Sequence, residues 1–177
     1  MTTTIPPHIT LTPPERDLLQ FGIEVAERLQ AGHEDIPSCM LVLHPESGET
    51  VVVSLSGMTK QAVNQLAHTA SLQCPIAVIQ SAWRTRLSAK PDSAIATAVR
   101  NGDPVVCPEP RLDPNREDVV IVNLKHQTRR VMAHAKVEKS ELHANRTLPK
   151  WEFMEINAAP GGNFRSMSFT DPSARVI

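Results

Sequence analysis

The chain has 177 residues, which fits one domain and is long enough to bury a hydrophobic core. A formal net charge of −1 gives no overall attraction to nucleic acid or anionic lipid, and four Phe, two Trp and no Tyr leave few rings for base stacking. The three cysteines cannot all pair within one chain, and residues 1–10 lack the basic and apolar regions of a secretory signal, so we predict a cytoplasmic protein with reduced thiols and no membrane partner.

The first half of the chain begins with residues 1–11, which have no hydrophobic periodicity and are predicted to form a flexible arm. The sequence TPPE then starts a helix, because Thr12 and Glu15 form a capping box and Pro13 takes the favoured first helical position. Periodicity and turn residues predict helices over 13–31 and 59–72, and strands over 39–43, 50–55 and 75–83.

The second half contains a long irregular region, residues 84–118, with one short helix predicted between Asp92 and Gly102. Strands are predicted over 119–126, 129–137, 151–156 and 163–169, and residues 171–177 are interpreted as a tail. Because hairpins connect most strands, we predict an α+β fold. Its single domain, residues 12–170, has a mostly antiparallel sheet with two main helices packed on one face. The alternative is a half-parallel sheet with a parallel crossover before the third strand.

The strands over 119–126 and 129–137 can be paired from the sequence. If His126 lies opposite Arg129, three apolar cross-strand pairs fall on one face, which favours this register. The apolar face then contains Val120, Val122, Leu124, Val131, Ala133, Ala135 and Val137. The opposite face receives Lys125, Arg130, His134 and Lys136. Such a basic face can contact nucleic acid or another anion, or it can be an ordinary solvated face balanced by nearby Glu138, Glu141 and Asp118.

A stiff, charged segment leads into the strand over 119–126. Its prolines at 108, 110 and 114 hold an extended path. If the strand that carries Trp83 pairs with the strand after Asp118, Arg116 can lie over the indole ring. The candidate binding residues at this loop are Trp83, Arg111, Asp113, Arg116 and Asp118.

Two short stretches carry a family resemblance. QSAW at 80–83, together with PEPRLDPNREDVVIV at 108–122, resembles small uncharacterised bacterial and phage proteins. In those proteins a strand ends in a Ser-x-Ala-Trp motif, and a leader with Pro, Asp-Pro and Arg followed by acidic residues precedes another strand. The resemblance covers under a quarter of the chain, and Gln80 departs from the motif. It implies a role for no residue, because that group has no assigned activity.

The sequence contains no motif that assigns a reaction. Ser56 lacks the preceding glycine of a nucleophile elbow, no glycine-rich phosphate loop opens a helix, and the seven histidines have no metal-ligand spacing. We therefore predict a non-catalytic binding or assembly protein that needs neither cofactor nor metal, with a homo-oligomer or another protein as its partner. One alternative is an enzyme that acts on an anionic or phosphorylated substrate at 84–118, using Asp113, Arg116, Asp118 and His134. The other is a weak nucleic-acid binder that uses the basic face.

Overall fold

The computed structural model describes residues 3–32, 36–84, 101, 116–139 and 146–155. Its two helices are α1 (Pro13–Gly32) and α2 (Lys60–Ser71). Six strands form the main sheet: β1 (Cys39–Leu43), β2 (Thr50–Ser54), β3 (Ile76–Arg84), β4 (Glu117–His126), β5 (Arg129–Lys136) and β8 (Trp151–Glu155). Two further short strands, β6 (Glu138–Lys139) and β7 (Arg146–Thr147), pair with each other.

The main sheet has the strand order β2-β1-β3-β4-β5-β8, and every neighbouring pair is antiparallel. The α+β class with an antiparallel sheet and two main helices is therefore confirmed, and no parallel crossover is found among the described strands. The predicted register of β4 and β5 is also confirmed, since His126 lies opposite Arg129 and Val122 lies opposite Ala133.

Helix α1 covers one side of the sheet, which we call the α1 face. Leu19 and Ile23 of the helix are fully buried against Val122 of β4. Gly22 lets the helix come close to the strands, because a Cβ atom at this position would lie 2.8 Å from Cγ1 of Val122. The centre of the core is therefore the contact between the middle of α1 and the middle of β4.

Glu15 joins the first turn of α1 to the turn between β4 and β5. The backbone N–H of Thr12 donates to Oε2 of Glu15 at 2.8 Å, which confirms one half of the predicted capping box. The same carboxylate, only 1% exposed, accepts hydrogen bonds from Nδ1 of His126 at 2.7 Å and from Nη1 of Arg129. Burial alone would raise the pKa of Glu15, but the hydrogen bonds from Thr12, His126 and Arg129 lower the pKa below its ordinary value.

Helix α2 packs against the other set of alternate strand residues, and we call that side the α2 face. Leu66 and Ala67 of the helix pack with Met40 of β1 and with Ile76 and Val78 of β3. Because successive strand residues point to opposite sides, the two helices lie against opposite sides of the sheet, which refines their predicted placement on one face. The apolar stripe of a helix predicts that it is buried but not which side of a sheet it covers.

The segment before α1 is packed rather than free. Ile5 and Ile9 are only 5% and 2% exposed and belong to the same core as α1. The guanidinium of Arg16 donates to the carbonyls of both residues, at 3.3 and 3.2 Å. These contacts correct the interpretation of residues 1–11 as a flexible arm, for the part that is described.

Other sequence-based predictions fall on residues that the structure does not describe. These are the short helix predicted between Asp92 and Gly102 (except Asn101), the strand over 163–169 and the tail over 171–177. No helix in the described ranges is long and apolar enough to cross a membrane.

Replacing Gly22 with alanine should lower the free energy of unfolding, because the added methyl group would overlap the buried side chain of Val122. Alanine favours a helix over glycine by about 1 kcal/mol, whereas overpacking a core costs about 1–3 kcal/mol. We therefore expect a net loss of up to about 2 kcal/mol in urea denaturation. In a Val122→Ala background the methyl group has room, so Gly22→Ala should no longer destabilise the protein. A Gly22→Ala protein at least as stable as the parent would contradict this packing.

Candidate functional site

The four predicted basic-face residues do share one side of the sheet, the α2 face. Lys125 lies opposite Arg130, His134 opposite Ile121, and Lys136 opposite Val119. The side chains of Lys125, Arg130 and His134 are partly exposed, and that of Lys136 is exposed. The register predicted from apolar pairs therefore placed the charged side chains correctly as well.

Two of the four basic-face residues, Lys136 and His134, face glutamates, in an arrangement that also includes Arg84 and that we call the charged network. Glu117 accepts from Nη2 of Arg84 at 2.8 Å and lies 2.9 Å from Nζ of Lys136. Glu152 lies 3.5 Å from Nη1 of Arg84 and 3.1 Å from Nε2 of His134. Positive and negative side chains thus alternate along the series of contacts that runs through Lys136, Glu117, Arg84 and Glu152.

Among the described residues, two buried polar atoms on the α2 face have no hydrogen-bond partner: Nδ1 of His134 and Oδ1 of Asn123. The pKa of His134 is lowered by burial and then by the charge of Arg84, although Glu152 acts in the opposite direction. Because the carboxylate of Glu152 can only accept, Nε2 of His134 carries the proton of the neutral ring and Nδ1 is an acceptor.

At the hairpin end of the α2 face lie Lys125 and Arg130, which we call the cation pair. They are directly opposite each other in β4 and β5. The pKa of Lys125 is lowered by burial and then by the charge of Arg130. Neither side chain forms an ion pair or hydrogen bond with the described part of the chain. The cation pair is therefore unlike the charged network, in which each cation has a glutamate.

The predicted contact between Arg116 and Trp83 is present. Cζ of Arg116 lies 4.5 Å from the centre of the Trp83 ring, which is the geometry of a cation–π interaction. Trp83 is itself 39% exposed, at the end of β3. Asp118 lies 3.4 Å from Nζ of Lys139. Arg111 and Asp113 lie outside the described residues.

The described residues that the enzyme hypothesis would use lie on different sides of the sheet. Asp118 lies opposite Trp83 and shares the α1 side of β4 with Val120, whereas His134 lies opposite Ile121 and points to the α2 face. Arg116 stacks on Trp83 at that same α1 side. In the described ranges, therefore, Arg116 and Asp118 do not converge with His134 on a common reaction centre.

An exposed apolar edge lies at β2, the first strand of the sheet order. Val51 and Val52 are 55% and 59% exposed. The strand sequence TVVVS contains no charge and no proline, the features that usually protect a sheet edge. The other edge, β8, has exposed Met154 but carries Glu152 and Glu155 beside it. We call the outer side of β2 the β2 edge.

Sequence reasoning missed Arg84, Glu152 and the β2 edge, and it did not place Glu117 beside Arg84 and Lys136. Pairing β3 with β4, which the contact between Trp83 and Arg116 already requires, also puts Arg84 opposite Glu117. Glu152 lies opposite His134 only because β8 returns beside β5, and no local signal predicts that neighbour. The edge position of β2 depends on the order of all six strands.

Among the described residues, no group of three His, Cys, Asp or Glu side chains is placed to hold a metal ion. No family model, no curated protein and no solved structure matches this chain. The basis for function is therefore the three surfaces above: the charged face with its cation pair, the Trp83 stack and the β2 edge.

Trp83 and Arg116 should be energetically coupled, because an exposed cation–π contact contributes about 0.5–1 kcal/mol. In a double-mutant cycle with Trp83→Ala and Arg116→Ala, the loss in unfolding free energy of the double variant should differ from the sum of the two single losses by at least about 0.5 kcal/mol. A second cycle that pairs Trp83→Ala with Gln65→Ala, at an exposed position of α2 on the other side of the sheet, serves as the control and should be additive. Additivity in both cycles would show that the stack contributes nothing to stability.

His134 should make the protein sensitive to mild acid. Its pKa is lower in the folded state than the ordinary value of 6.5, so the unfolded chain takes up the proton first as pH falls. The contribution of neutral His134 to stability is therefore fully present above the ordinary pKa. This contribution is lost as pH falls from the ordinary pKa toward the lower pKa of the folded state. His134→Gln should reduce the fall in unfolding free energy between neutral pH and about pH 5.

The matched control for this pH dependence is His8→Gln, at an exposed position of the N-terminal segment. This variant should retain the acid sensitivity of the parent protein in the same urea titrations. An unchanged pH profile in His134→Gln would contradict the role assigned to His134.

Proposed function

We propose that the protein is a non-catalytic, cytoplasmic assembly protein that forms homo-oligomers through its β2 edge. The observation that carries the proposal is the exposure of Val51 and Val52 on an edge strand without charge or proline. Edge strands of this kind offer free backbone N–H and C=O groups to another strand, and monomeric proteins normally block them. The cytoplasmic location is supported by the free thiols of Cys39 and Cys74.

A second copy of the same chain fits the β2 edge for a reason of symmetry. When two identical strands pair antiparallel about a two-fold axis at Val52, Val51 lies opposite Val53 and Thr50 lies opposite Ser54. Each of these pairs matches residues of similar size and character, and no charged pair repels. The pairing would join two six-stranded sheets into one continuous sheet.

The size of the β2 edge limits the affinity of such a dimer. Stable interfaces usually bury about 1,200–2,000 Å² in total, and five residues on each copy contribute only part of that area. We therefore expect a dimer that dissociates on dilution rather than a permanent one.

The alternative functions have less support in the described residues. For the enzyme hypothesis, Asp118 and His134 lie on opposite sides of the sheet. For the nucleic-acid hypothesis, Glu117 already neutralises Lys136, which leaves fewer free cations for phosphate contacts.

Val52→Lys should abolish the dimer, because a charged side chain at the centre of the pairing would face its own copy. Sedimentation equilibrium over a wide range of protein concentration should show dimer formation for the parent and a monomer for the variant. Gln65→Lys is the control, since it adds the same charge at an exposed position of α2 and should dimerise normally. A monomeric parent at the highest soluble concentration would contradict the proposal, as would a dimer that Val52→Lys leaves intact.

A further inference from the structure

The hairpin of β4 and β5 carries two pairs of opposed basic or titratable side chains at its turn. His126 lies opposite Arg129, and one step further from the turn Lys125 lies opposite Arg130. Because strand residues alternate, the first pair points to the α1 side and the second to the α2 side. The two pairs therefore present similar chemistry on opposite sides of one hairpin.

The pair on the α1 side shows what such an arrangement binds. His126 and Arg129 both hold the carboxylate of Glu15, which is buried and ionised between them. The cation pair on the α2 side has no carboxylate among the described residues, although like charges placed directly opposite each other destabilise a sheet. An anion at that position would remove the repulsion between Lys125 and Arg130.

The carboxyl end of α2 lies at the hairpin turn next to the cation pair. The carbonyl of Ser71 accepts from the N–H of Gln127 at 2.6 Å, so this helix end touches the hairpin turn. A helix end carries only about half a negative charge, and that carbonyl is already hydrogen-bonded. Within the described part of the chain, more than one positive charge therefore remains uncompensated at the cation pair.

We propose that the cation pair binds the carboxylate or phosphate group of a small anionic ligand. The guanidinium of Arg130 can hold two oxygens of such a group at once, and the ammonium of Lys125 supplies a further charge. Both side chains are partly exposed, so a ligand can reach them without opening the core. The site lies on β4 and β5, whereas the β2 edge is separated from β4 by β1 and β3, so neither proposal depends on the other.

The test is an NMR titration of the whole protein, labelled with ¹⁵N, with inorganic phosphate and separately with succinate. Ionic strength is held constant with sodium chloride, because general screening would otherwise imitate binding. Saturable shifts should centre on the backbone amides of residues 125–130. Lys125→Met and Arg130→Met should each weaken the affinity at least about tenfold, as expected for a charge-assisted hydrogen bond. Lys139→Met, which removes a cation that faces Asp118, should leave the affinity unchanged.

Thermal melts separate a ligand site from a structural role. Removing an unpaired like charge should leave the melting temperature of Lys125→Met equal to or above that of the parent. A clear loss of stability would overturn the proposal, since the ammonium would then have a partner within the fold. Shifts that do not saturate, or that survive both variants, would overturn it as well. Binding of a single-stranded oligonucleotide without binding of phosphate or succinate would replace the small ligand with nucleic acid.

Discussion

The buried carboxylate of Glu15 is the interaction on which the placement of α1 depends. A carboxylate that is only 1% exposed needs partners, and its partners come from both the helix start and the distant hairpin. Once those bonds fix the start of α1, the helix axis is set and Gly22 falls against Val122. The other end is held by Glu27, which accepts from Nε1 of Trp151 in β8 at 3.0 Å. Two carboxylates thus tie one helix to both ends of its contact with the sheet.

Charge is distributed unevenly over the two sides of the β4–β5 hairpin. On the α1 side, Glu15 balances His126 and Arg129 inside the fold. On the α2 side, Glu117 and Glu152 balance the cations of the charged network, whereas the described residues place no carboxylate at the cation pair. The net charge of the whole chain is close to zero, but among the described residues positive charge is in excess at the cation pair. A small net charge describes the sum over the chain and not the balance at each place on the surface.

The local parts of the fold were predictable because local physics determines them. The capping box around Glu15, the turn at Gln127 and the apolar pairs of β4 and β5 all follow from neighbouring residues or from one hairpin. The side of the sheet that α2 covers, and the edge position of β2, depend on packing between elements far apart in sequence. The burial of Ile5 and Ile9 was missed for a similar reason, since two isolated apolar residues among threonines and prolines form no periodic pattern.

The long sequence separation of the contacts of α1 has a consequence for the newly made chain. Glu15 and Glu27 meet their partners 111 to 124 residues later. At a synthesis rate of about 5–20 residues per second, this delay lasts roughly 6–25 s. Throughout that interval the first helix can pack only against β1 and β3, and the part of its apolar stripe that meets β4 and β8 stays accessible to chaperones and to other nascent chains. Contacts between residues far apart in sequence also slow folding in general. The first helix to be synthesised is therefore among the last elements to complete its tertiary contacts.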